Sequence, residues 1–180
     1  MGEISDIPLA VDMDGTLILT DMSYISIKRV LLRRPWMIFG LLTKELTKKR
    51  AQWKRDLAKK LVFDPAELEY HAAFLDWLTG EHARGRTLIL ATASDRIVAE
   101  QVAAHVGLFS DVLASDAQHN LRGKKKAEAL IARYGDMKFG YAGNSHHDLP
   151  VWEHSAQIIV VNPENNLLDK INDKADIVFE

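Results

Sequence analysis

The chain has 180 residues, 47% of them hydrophobic, with 23 Lys/Arg against 25 Asp/Glu and no cysteine. That length and apolar content can bury a substantial core in one α/β domain with room for an insertion, and the missing cysteine excludes disulfides and thiolate metal sites. The N-terminus lacks the basic-then-apolar order of a secretion signal, and no run of about 18 uncharged apolar residues occurs, so the sequence predicts neither a leader nor a membrane span and a cytoplasmic setting.

Residues 8–12, PLAVD, form a short apolar run ending in a carboxylate, the pattern of a buried parallel strand that delivers residues to the carboxyl edge of a sheet. Asp12 and Asp14 stand two apart, and Gly15-Thr16 lets the chain turn after them. The two carboxylates can therefore take different jobs. One suits a nucleophile held near a metal; the other can protonate a leaving oxygen and later deprotonate water.

Residues 22–61 then carry helical spacing: Tyr24, Ile27 and Leu31, next Trp36, Phe39 and Leu42, next Trp53, Leu57 and Leu61. This predicts a small helical cap inserted after the first strand, with the core over 1–21 and 62–180. Between residues 22 and 60 lie 12 Lys/Arg and only two acids, Glu45 and Asp56, so a segment of +10 is joined to a body of -12. Basic charge beside Trp36, Phe39 and Leu42 suits an anionic amphiphile or an anionic membrane surface, with the protein peripheral to it. A cap that packs its aromatics internally and solvates its lysines gives the same pattern. No nucleic-acid recognition module accompanies the charge, so no nucleic-acid partner is expected.

Beyond the cap, helical patterns fit residues 66–84, 95–106 and 123–134, alternating with apolar runs at 86–94 (RTLILATAS), 138–144 (KFGYAGN) and 156–162 (AQIIVVN). Strand and helix in alternation predict a Rossmann-like, doubly wound parallel sheet, in which ligands bind outside the carboxyl ends of the strands. Asp12, Thr92 and Asn144 close three of the four runs. Lys124, Lys125 and Lys126 are consecutive, and any of them could neutralise an anion; Lys126 stands four residues before Leu130 and begins the apolar face of its helix. His146 and His147 lie between Asn144 and Asp148, where oxygen donors favour Mg²⁺ over a histidine site, and exposed loop positions are expected for both.

Taken in order, DMDGTL, the Thr of LILATAS, the Lys of KAEAL and GNSHHD resemble the four motifs of the haloacid dehalogenase (HAD) superfamily. Within it, PLAVDMDGTL, RGRTLILATASD, VLASD, YAGNSHHDLPVW and VVNP resemble the phosphatase-like domain fused to some UbiA-type polyprenyltransferases. The resemblance implies a Mg²⁺-dependent phosphatase of the HAD fold. Asp12 would be the nucleophile that becomes an aspartyl-phosphate, and Asp14 the general acid and base. The Thr92 hydroxyl and the backbone at Ala93 would hold the phosphoryl group, and Lys126 would neutralise it. Asp12, the Asp14 carbonyl, Asn144 and Asp148 would surround the metal. The superfamily usually has Asp where Asn144 stands, which removes one negative charge and predicts weaker Mg²⁺ binding. The implied substrate is a phosphate monoester, either a phosphorylated lipid or polyprenyl intermediate or a small phosphometabolite. Two competing readings follow from the same residues. Asn144 suits a HAD-shaped binding or regulatory module, and a strand-end Asp suits a phospho-acceptor signalling domain, although Asp14 should shorten the life of its phosphoryl group.

Overall fold

The computed structural model describes residues 7–19, 64–116, 118–171 and 174–180. The cap expected over residues 22–61 lies outside them. Six strands, β1 (Leu9–Val11), β2 (Leu88–Asp95), β3 (Asp111–Ser115), β4 (Gly140–Gly143), β5 (Gln157–Val161) and β6 (Ile177–Phe179), form one sheet in the order β3-β2-β1-β4-β5-β6. Every pairing is parallel. Successive strands run outward from β1 to β3, then the chain crosses to β4 on the other side, so the order reverses beside β1. The crevice between β1 and β4 is the place where such sheets bind ligands.

Alternation along the strands sorts two cores. Leu9 and Val11 of β1, with Leu88 and Leu90 of β2, pack against Phe74 and Leu78 of α1 (Ala72–Ala83) and Val98 and Val102 of α2 (Arg96–Val106). Ala10, Tyr141 and Val160 turn to the opposite face. There they meet Ala127 and Leu130 of α3 (Lys124–Tyr134), Val151 and Trp152 of α4 (Leu149–Trp152), and Leu167 and Ile171 of α5 (Leu167–Ile171). Period-two strands and period-3.6 helices thus bury matching stripes on both sides of the sheet. Among the described residues no helix is long and apolar enough to cross a membrane.

The four sequence-predicted strands occur, but the helix expected over 66–84 starts only at Ala72. Pro65–Glu67 forms a single 3-10 turn, with Asp64 Oδ1 accepting from Ala66 N at 2.9 Å. The chain then runs extended, because Leu19 N donates to Glu69 O (2.9 Å) and His71 N to Leu17 O (3.0 Å). These tertiary bonds override the local helical spacing and join the two ends of the chain that flank residues 20–63. Strands β3 and β6, which the apolar-run criterion misses, lie at the sheet's two edges and are only partly buried. Their apolar runs are only three residues long, Val112 to Ala114 and Ile177 to Phe179, each flanked by polar residues.

Candidate active site

Strand β1 ends with Asp12 N donating to Ala142 O at 2.9 Å, the last rung between β1 and β4. Met13 then drops into the core, and Gly15 N to Ile18 O (2.8 Å) with Ile18 N to Met13 O (3.0 Å) closes a turn. Gly15 sits at φ +81°, a left-handed conformation, and a Cβ there would lie 2.9 Å from Asn144 Cγ. Glycine is required on both counts. Its absence of a side chain lets Asn144 pack directly over the Asp12–Gly15 turn, where Thr16 Oγ1 donates to Asn144 Oδ1 at 3.4 Å.

From the opposite face of the sheet, α3 sends one of its three lysines inward. Lys126 is 4% exposed, whereas Lys124 and Lys125 are exposed. Its Nζ donates to Asp12 Oδ1 and to the Tyr141 hydroxyl, both at 2.7 Å, and lies 3.6 Å from Asp148 Oδ1. Tyr141 in turn donates to Asp148 Oδ1 at 2.6 Å. The other Asp148 oxygen accepts from Asn144 N (3.2 Å), Ser145 N (3.0 Å) and Ser145 Oγ (3.0 Å). Asp148 is therefore fixed by its own 3-10 turn, His146–Asp148, and cannot rotate without breaking several bonds.

On the β2 side, Asp14 Oδ2 accepts from Ser94 Oγ at 2.6 Å and from Thr92 Oγ1 at 3.4 Å. Asp12, Asp14, Thr92, Ala93, Lys126, Asn144 and Asp148 all line one open cavity of about 370 Å³ above the carboxyl ends of the strands. All the residues the sequence nominates thus come together on that cavity wall.

Electrostatics in this cluster are unbalanced. Burial pushes the Asp12 carboxyl up to about 7; Lys126 beside it pulls the other way, and Asp148 and Asp14 add to the rise. Burial alone would depress the Lys126 ammonium, but Asp12, Asp148 and Asp14 together hold it above the usual lysine value. Tyr141 is raised well above the ordinary phenol range by burial and by Asp148 and Asp12, so it remains a hydrogen-bond donor. Three carboxylates thus crowd round the buried Lys126, and a further cation in this low-dielectric cluster would stabilise their charged forms.

Several cavity residues were not singled out from the sequence. Ser94, Arg122, Ser145, Asn162 and Glu164 line it as well. Asn162 follows β5, takes φ +46°, and donates from Nδ2 to Gly15 O at 3.3 Å. The rule that selected Asp12, Thr92 and Asn144, a polar residue closing an apolar run, selects Asn162 equally. Tyr141 carried no such signal, because an aromatic inside an apolar strand reads as core. Of the histidines, His147 is exposed and lines the cavity. His146, expected to be exposed, is half-buried, and its buried Nδ1 has no hydrogen-bond partner among the described residues. The capped 3-10 turn draws that ring inward. Among the described residues no group of three His, Asp or Glu side chains forms a metal cage.

The family model for haloacid dehalogenase-like hydrolases matches residues 9–153, spanning β1 through the Asn144–Asp148 turn. The chain belongs to that family. Among curated proteins, this haloacid dehalogenase-like chain is 30% identical over 155 residues to the uncharacterized protein y4nM of Sinorhizobium fredii. The match takes in 86% of this chain but only 30% of that protein's length. Among solved structures, a protein of unknown function from Bordetella pertussis Tohama I superposes with a TM-score of 0.73 at 17% identity, covering 97% of this chain and 98% of that one. Phosphoserine phosphatase in its apo form superposes with a TM-score of 0.66 at 14% identity, covering 97% of this chain and 94% of that one. At such identities the likeness is one of fold, and the haloacid dehalogenase fold is what the sheet order and the crevice at β1/β4 display.

Proposed function

We propose that this chain is a Mg²⁺-dependent phosphatase that hydrolyses a phosphate monoester through an aspartyl-phosphate on Asp12. The observation that carries the reading is the convergence on one cavity of a buried strand-end carboxylate, a buried ammonium 2.7 Å from it, and a second carboxylate held by strand-end hydroxyls. A solved structure of phosphoserine phosphatase, similar in fold, is that of its phospho-aspartyl intermediate analogue, which supports the same chemistry here.

The donor set fits a hard divalent cation, because it consists of oxygens: the Asp12 carboxylate, the Asn144 side-chain carbonyl, the Asp14 backbone carbonyl and Asp148. Asp148 already accepts hydrogen bonds on both oxygens, which favours an outer, water-bridged role for it. Bound there, Mg²⁺ would neutralise charge on the transferring phosphoryl group. The remaining steps belong to side chains. An Asp12 oxygen attacks phosphorus as the bond to the leaving oxygen breaks, and that oxygen keeps the electron pair and takes a proton from Asp14. Asp14, now a carboxylate, removes a proton from water as the water oxygen attacks phosphorus. The bond between phosphorus and Asp12 then breaks, orthophosphate departs, and both residues are restored. Lys126, Thr92 and the backbone at Ala93 hold the phosphoryl oxygens throughout.

The +10 charge of residues 22–60, a property of the sequence, supports an anionic substrate such as a phosphorylated lipid or polyprenyl intermediate, or a small phosphometabolite, and association with an anionic membrane. Asn144 is the one observation that favours a non-catalytic binding module instead. Phosphate release from a panel of monoesters with and without Mg²⁺ separates the two. Metal-dependent turnover supports the phosphatase, and tight binding with no release supports the module. Sedimentation with anionic vesicles at low salt tests the membrane reading, which fails if the protein stays in the supernatant.

A further inference from the structure

We propose that Ser94 is a positioning residue for Asp14, holding its carboxyl in the orientation in which it hands a proton to the leaving oxygen. The assignment rests on the phosphatase reading above. Three observations carry it. The Ser94 hydroxyl donates to Asp14 Oδ2 at 2.6 Å, the shortest contact made by either hydroxyl on that carboxyl. The Ser94 backbone N–H donates to Thr92 Oγ1 at 3.0 Å, and the residue is 7% exposed, so its rotamer is held. The ladder between β2 and β3 is in register up to Thr92 with Ala114 and resumes at Asp95 with Ser115. Ala93 and Ser94 are therefore extra residues against none on β3. Such a bulge bends a strand end and aims side chains that regular pairing would not. Here it brings Ser94 to Asp14.

The chemistry gives this contact a task that Thr92 cannot share. Thr92 Oγ1 lies 3.4 Å from the same carboxylate oxygen, but its hydroxyl is committed to the phosphoryl group once substrate is bound. Ser94 still donates its hydroxyl to Oδ2. A carboxyl oxygen that accepts a hydrogen bond from Ser94 is disfavoured as the site of its own proton, so the proton that Asp14 transfers is carried on Oδ1. Ser94 touches neither the phosphoryl group nor the nucleophile in this scheme. It acts through Asp14 alone.

The test exploits leaving groups. An alkoxide or phenoxide, the latter with a conjugate-acid pKa of about 10, needs the Asp14 proton as it departs, whereas p-nitrophenolate spreads its charge into the nitro group and leaves without it. For kcat/KM with Mg²⁺, which reports the first phosphoryl transfer, Ser94→Ala is expected to lose about tenfold on phenyl phosphate and less than about twofold on p-nitrophenyl phosphate, a share of the usual contribution of a positioned general acid. Ser94→Cys, close in shape but a weak donor, should show the same selective loss while keeping the wild-type melting temperature. Ser94→Thr, which keeps the hydroxyl, should restore the ratio of the two esters. If both Ala and Cys variants fall equally on the two esters, or on neither, the positioning role is overturned while the phosphatase reading stands. If the wild-type protein releases phosphate from neither ester nor from any other monoester, the phosphatase reading falls and takes this role with it.

Discussion

Two networks of buried charge sit at opposite ends of the same sheet, and they are built to different rules. At the amino ends of the strands, Arg86 donates from Nη1 to Glu81 Oε2 (2.7 Å), from Nη2 to Gln157 Oε1 (2.7 Å) and from Nε to Ile7 O (3.0 Å). Glu81 also meets the exposed Arg84, whose Nη2 lies 2.8 Å from Oε1, so one carboxylate is shared by two guanidinium groups, and the remaining Arg86 donors find neutral acceptors. At the carboxyl ends, three carboxylates, Asp12, Asp148 and Asp14, gather round the buried Lys126, and the nucleophile candidate is pushed up to about 7. The first network closes a core; the second crowds three carboxylates together at an open cavity, where a bound cation would relieve their repulsion. Unbalanced buried charge, rather than buried charge itself, marks the functional edge.

Substitutions at the two edges should therefore separate activity from stability. The largest effect is expected from Asp12→Asn, which should lower Mg²⁺-dependent phosphate release by a factor on the order of 10⁴ or more, the scale of losing a covalent nucleophile. Its melting temperature should hold or rise, because the change removes a charge from an overcharged cluster. Arg86→Met at the amino edge should do the reverse. Unfolding in urea should show a loss of about 3 kcal/mol, as Glu81 loses its buried partner and keeps only the exposed Arg84 while Gln157 loses its donor, with kcat per folded molecule unchanged. Lys126→Met should cut kcat on the order of 10²- to 10³-fold and cost less stability than Arg86→Met at pH 6, since Asp12, raised to about 7, already carries most of its proton there. Equal stability losses at the two edges would erase the distinction.

A smaller effect is expected from Asn144→Asp, which adds the carboxylate the family pattern usually carries. Calorimetric titration should show Mg²⁺ binding tightened by about tenfold, together with lower stability of the metal-free protein. The pH dependence follows from Asp12. Its folded pKa of about 7 lies above the ordinary 3.8, so the native state keeps a proton that the unfolded chain has released. That contribution is complete below the unfolded value and disappears as pH rises through the folded one. The metal-free protein should lose stability between about pH 4 and pH 7, and Asp12→Asn should flatten that slope. A slope of opposite sign in the wild type, cancelled by the same variant, would contradict the assignment.

Much of this was legible in the sequence because strand ends announce themselves. Asp12, Thr92 and Asn144 each close an apolar run, and Lys126 differs from its two neighbours by the helical spacing that places it on the same face as Leu130. The criterion failed where burial comes from tertiary contact instead of local pattern. The apolar runs of edge strands β3 (Val112 to Ala114) and β6 (Ile177 to Phe179) are only three residues long and flanked by polar ones, and residues 68–71 follow Leu17 and Leu19 rather than their own helical spacing. Tyr141 was hidden for a related reason. Inside β4 it reads as core, and only the fold shows its hydroxyl linking Lys126 to Asp148. Ser94 depends on a bulge between strands, which no single segment encodes.

The most direct measurement is chemical trapping of the phosphorylated residue. Protein turning over phenyl phosphate with Mg²⁺ would be quenched in acid, reduced with borohydride and mapped by peptide mass spectrometry. An aspartyl-phosphate at Asp12 should be recovered as homoserine at position 12, and the product should be absent when Mg²⁺ is omitted. Steady release of phosphate with modification at another residue, or with none at Asp12, would contradict Asp12 as the nucleophile.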